Sequence, residues 1–214
     1  MQKDVVIGQG RAALRGILAV PEGAKGIVLF AHGSGSGRLS TRNQFVAKKM
    51  QEGKLATLLM DLLTEEEEAI DENTRQYRFD IDLLAERLIL ATDWLQTQDS
   101  LKDLPVLYFG ASTGAAAALV AASFRGSSIQ AVVSRGGRPD LADSALSTVV
   151  SPTLLIVGGN DFGVIELNMQ AYKALSCKKK VEIVKGATHL FEEPGMLDEV
   201  ARLASSWFLE NIKK

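Results

Sequence analysis

Short apolar stretches of strand length recur along the chain, and between most of them apolar positions fall at every third or fourth residue. The first pair is the exception. Val5-Val6-Ile7 and Leu14 to Val20 flank a glycine-rich Gly8-Gln9-Gly10, which reads as a hairpin, and Pro21-Glu22-Gly23 ends its second strand. Further strands are expected at Gly26 to Ala31, Leu55 to Met60, Val106 to Phe109, Ile129 to Val133, Thr153 to Val157 and Val181 to Val184. The unbroken apolar run at Gly26 marks a strand covered on both faces.

Helical signals fill the intervals. Thr41-Arg42-Asn43-Gln44 has the form of a capping box, opening a helix with Phe45, Val46 and Met50 inward and Gly53 at its end. Asp80 is placed to cap a helix carrying Ile81, Leu84, Leu88, Ala91 and Leu95. Ala115 to Ala122 is rich enough in alanine to be a helix packed at close range. Ile165, Leu167, Met169, Tyr172 and Leu175 mark the inner side of another. Pro194 is expected in the first turn of a closing helix with Leu197, Val200, Leu203, Trp207 and Phe208. A short polar-capped segment is expected from Asp140 to Ser147, and Glu65 to Glu68 as a solvated face.

Regular alternation of strand and helix after a hairpin predicts an α/β fold, a mostly parallel sheet joined by right-handed crossovers and covered on both faces. With no repeat, linker or compositional break, residues 1–214 read as one domain. A formal charge of −2 gives no basic footprint for nucleic acid or an anionic membrane. No apolar run reaches membrane-span length and the N-terminus shows no signal-peptide pattern. The lone Cys177 leaves no internal disulfide, so a cytoplasmic protein is expected, with Cys177 a surface thiol at a helix end. Two histidines and one cysteine are too few for a conventional zinc site, so no metal is expected.

In such a sheet, ligands meet the carboxyl ends of the strands. Gly110-Ala111-Ser112-Thr113-Gly114 lies between a strand and a helix, the setting of a nucleophile elbow. A serine hydroxyl needs a base; His189, after the last strand, is the candidate, and Asp161 the acid that orients it. Asp140 is the rival acid. In His32-Gly33-Ser34-Gly35-Ser36-Gly37 the spacing fits neither a P-loop nor a dinucleotide loop. Its glycines instead suit an oxyanion hole, in which the Ser34 and Thr113 backbone N–H groups receive developing charge. His32 is expected to hold that loop. Arg135 and Arg138 stand at a strand end, where either could pair with a substrate carboxylate or brace the loop through Asp140 or Glu192.

Ala31-His32-Gly33-Ser34-Gly35, Phe109 to Gly114, Val157 to Asp161 and Gly186 to Phe191 together resemble the α/β-hydrolase superfamily, more narrowly its compact dienelactone-hydrolase-like branch. The resemblance spans nearly the whole chain. It implies a sheet of eight strands with one antiparallel strand near its start, hydrolysis of esters or lactones, and no cofactor. Dienelactone hydrolases proper carry cysteine where this chain has Ser112, so the resemblance carries ester hydrolysis rather than the dienelactone reaction itself. Only about 15 residues separate Gly137 from Thr153, too few for a cap domain. An open site for small esters is expected, lined by Gly35, Leu39, Leu63, Phe162 and Leu190. Transfer of the acyl group to another acceptor, and ligand binding without catalysis, are the competing readings. The expected partner is a small ester, and the chain a monomer or homodimer.

Overall fold

The computed structural model describes residues 2–10 and 13–213; Met1 and Lys214, the ends of the expected domain, lie outside them. Eight strands form one sheet: β1 (Gln2–Ile7), β2 (Leu14–Ala19), β3 (Ile27–Ala31), β4 (Ala56–Met60), β5 (Val106–Ala111), β6 (Ile129–Arg135), β7 (Thr153–Gly158) and β8 (Lys179–Val184). Their spatial order is β1-β2-β4-β3-β5-β6-β7-β8. Only β2 runs against its neighbours, pairing antiparallel with β1 and β4, as the resemblance implied.

Six α-helices connect them: α1 (Thr41–Glu52), α2 (Glu65–Thr74), α3 (Ile81–Gln96), α4 (Thr113–Arg125), α5 (Phe162–Ala174) and α6 (Met196–Asn211). Strand alternation divides the core between the two faces. Ile27, Leu29, Val106 and Tyr108 pack with α3 and α4, whereas Val28, Phe30, Leu107 and Phe109 pack with α1 and α6. Ala115 to Ala122 is wholly buried, so α4 lies deep against the sheet. Between β6 and β7 stands only a kinked 3-10 segment, Pro139–Thr148, and no cap domain. Among the described residues no helix is long and apolar enough to cross a membrane.

Three local expectations are corrected. Ser40, not Thr41, caps α1, its Oγ accepting from the Asn43 N–H at 3.4 Å. The Gln44 side chain donates instead to the Arg38 carbonyl at 3.5 Å. On α5 the buried seam is Asn168, Ala171 and Leu175, leaving Met169 exposed. Asn168 is tolerated there because its amide donates to the carbonyls of Gly137 and Val164 at 3.0 and 2.8 Å. Pro194 precedes α6 rather than entering it, since left-handed Gly195 is the cap. The Glu65 to Glu68 run is a solvated face as expected, with Glu65, Glu66 and Glu68 exposed, and it opens α2, a helix the apolar periodicity did not announce. There Thr64 and Glu67 form a capping box, and Glu67 also pairs with Arg87 at 2.5 Å. Cys177 lies beyond the end of α5 and is half-buried.

Candidate active site

Ser112 occupies the turn between β5 and α4 with φ 51° and ψ −121°, a conformation that a non-glycine residue adopts only when its surroundings enforce it. They do. A Cβ on Gly110 would lie 2.4 Å from the Ala115 Cα, and one on Gly114 only 2.2 Å from the Ala31 carbonyl oxygen. Glycine at both positions lets strand and helix close on the serine.

His189 reaches this turn from the loop after β8. Its Nε2 is 3.3 Å from Ser112 Oγ, and its Nδ1 is 2.7 Å from Asp161 Oδ2. The carboxylate can only accept, so Nδ1 carries the proton and Nε2 is left to accept from the serine hydroxyl. Gly158 makes the approach of the two loops possible. A Cβ there would fall 2.6 Å from the carbonyls of both Ala187 and Thr188. The His189 loop is tied back by Asn160, whose N–H donates to Ala187 and whose amide donates to Gly186. Phe191, fully buried at φ 58°, anchors its far side.

The loop after β3 comes close from the opposite direction. A methyl on Gly33 would lie 3.0 Å from Ser112 Cβ. His32 holds this loop: Leu62 N–H donates to its Nε2 at 3.0 Å, which leaves Nδ1–H to donate to the Gly33 carbonyl at 2.9 Å. Burial pushes the His32 imidazole below its ordinary value, against the Gly33 carbonyl and Asp61, which favour the charged form. Arg38 adds a second tie, its N–H donating to Asp61 Oδ1 at 2.7 Å and its guanidinium pairing with the other oxygen.

Ser34, Gly35, Leu63 and Thr113 border one cavity of about 130 Å³ beside Ser112. Leu39, Phe162 and Leu190 are exposed and do not line it. Of the two arginines, Arg138 takes the loop-bracing alternative, whereas Arg135 meets neither. Arg135 is buried, donating to Asn43 Oδ1 at 3.0 Å over the Phe191 ring, because its position on β6 turns it into the α1 side of the core. Burial lowers its guanidinium to about 10. Arg138 is held by Asp140 through Nε and Nη2 at 2.9 and 2.7 Å. That pair occupies the rival acid as well, and Arg42 takes Glu192.

Beyond the loop after β3 the cavity is walled by residues for which no role was expected: Glu68, Asp71 and Glu72 of α2, and Arg78 behind it. Thr64-x-x-Glu67 ahead of Ala69-Ile70 was the available signal for α2.

No family model matches the chain. Its fold and sequence do match a solved structure, the dienelactone hydrolase of Anabaena variabilis. The two share 57% identity, with a TM-score of 0.97, over 100% of this chain and 99% of that one. The chain belongs to the dienelactone-hydrolase family. Est1E from Butyrivibrio proteoclasticus, at 16% identity and a TM-score of 0.81 over 99% of both chains, shares the fold of this family. Two Mycobacterium tuberculosis proteins with the provisional name phosphoribosyl transferase are 54% identical over 210 residues, 98% of this chain. The chain spans about half the length of these relatives, 46%. Within this family fold the chain carries serine, Ser112, at the turn between β5 and α4.

Proposed function

We propose that the chain hydrolyses small carboxylic esters through an acyl-enzyme on Ser112. The hydrogen-bonded series Ser112, His189, Asp161 carries this reading. Ser112 Oγ attacks the ester carbonyl as its proton passes to His189 Nε2. The imidazolium so formed is stabilised by Asp161. The N–H of Thr113, at the start of α4, and that of Ser34, which has no acceptor in the protein among the described residues, receive the oxyanion. His189 then protonates the departing alkoxide. Water, deprotonated by the same nitrogen, releases the acid and restores the serine.

The modest cavity supports short acyl chains. The phosphoribosyl transferase name belongs to proteins of which this chain matches under half, so it gives weaker support to a transferase than the serine site gives to a hydrolase. Hydrolysis of p-nitrophenyl acetate, butyrate and octanoate tests the proposal, with Ser112→Ala as control. Turnover of the short esters, lost in the variant, is expected. Equal rates for both proteins, or no label at Ser112 from a fluorophosphonate probe, would sink it.

A further inference from the structure

The cavity beside Ser112 belongs to the acyl half of a bound ester. Gly33 and Thr113, on either side of the nucleophile, both line it, whereas no residue of the His189 loop does. The leaving-group oxygen must face His189 to be protonated, so the other half of the ester extends under α2.

Charge in this cavity is unbalanced. Arg78 is spent on Asp71, its Nε donating to Oδ2 at 2.6 Å and its Nη2 to the Asp71 carbonyl at 3.0 Å. Arg38 is spent on Asp61, and Arg15 on Glu65 at 2.7 Å. Glu68 and Glu72 have no ion pair among the described residues. Burial, then the charges of Asp61 and Glu72, push the Glu68 carboxyl up, with Arg38 opposing. Thr113, only 3% exposed, brings to the same cavity a hydroxyl with no hydrogen-bond partner. The acidic side chains do not form a metal-binding group.

Resting on the ester-hydrolase reading above, we infer that this chain selects by acyl charge: Glu68 and Glu72 favour acyl groups bearing a cation and reject those bearing a carboxylate. Three p-nitrophenyl esters of equal chain length test this. They carry 4-(trimethylammonio)butanoyl, its uncharged isostere 5,5-dimethylhexanoyl, and the glutarate monoacyl group. The expected order of kcat/KM is cationic, neutral, anionic, with about three- to tenfold between the first two. That ratio should shrink in 0.5 M NaCl and fall towards one in the Glu68→Gln/Glu72→Gln variant. Equal rates for all three esters would overturn the inference and leave the hydrolase reading standing. Preference for the glutarate ester, lost in Arg78→Met, would also overturn it and make Arg78 the selector. Failure on all three esters while p-nitrophenyl acetate is still hydrolysed would overturn the inference alone, and failure on p-nitrophenyl acetate as well would sink both readings.

Discussion

Leu62 donates its backbone N–H to Nε2 of His32 at 3.0 Å, tying the segment after β4 to the loop that faces Ser112. The bond exists only while that nitrogen is unprotonated. Burial holds the folded-state pKa of His32 below 6.5, so the folded chain binds fewer protons there than the unfolded chain. Its contribution to stability is complete above about pH 6.5 and is lost as pH falls towards the lowered value. Urea midpoints at pH 7.5 and 5.5 should therefore decline with acidification. His32→Gln, which keeps an acceptor but cannot titrate, should flatten that decline.

Ser112→Ala is expected to lower kcat by a factor on the order of 10⁴ with little change in folding. Ser112→Gly goes further. It removes the same hydroxyl and relieves the strain at φ 51°, so the inactive protein should be more stable by about 1 kcal/mol. A thermal melt no higher than that of the parent would contradict an enforced turn.

Asp161→Asn should cost nearly as much as losing the serine, because the amide can stabilise the wrong imidazole tautomer. Asp140→Asn should leave turnover within a few-fold, since Asp140 serves Arg138. Rates of p-nitrophenyl butyrate hydrolysis by the two variants decide the matter, and the reverse order would reassign the acid.

Gly114→Ala would push a methyl to 2.2 Å from the Ala31 carbonyl oxygen. Backbone atoms of β3 cannot yield, so a loss of about 3 kcal/mol or more is expected, with soluble yield falling accordingly. Gly163→Ala, where nothing lies within 4 Å, is the matched control.

The strand pattern was legible because β3, β4, β5 and β7 are buried throughout, and β6 all but Gln130, so that apolar residues dominate each run. The convergence of Ser112, Asp161 and His189 left a related trace, since glycines stand where backbone meets backbone: Gly110 and Gly114 around Ser112, and Gly158 shortly before Asp161. Helix α2 was hidden because Asp71 is its only buried residue, and it is held by charge and backbone rather than by an apolar stripe. Arg78 was hidden with it, its partner being seven positions away across a helix end. The sequence around Arg135 gave no sign that its guanidinium would turn away from the cleft towards Asn43.

Helix α4 meets the sheet through alanines and glycines, so the Ser112 hydroxyl is aimed by main chain rather than by packed side chains. Under the proposed selectivity, variation in what the protein accepts would be displaced onto α2, whose outer residues are joined to the rest mainly by ion pairs. Under the two proposals above, reaction and selectivity would reside in different layers of the molecule, and the second could be rewritten while the first stayed fixed.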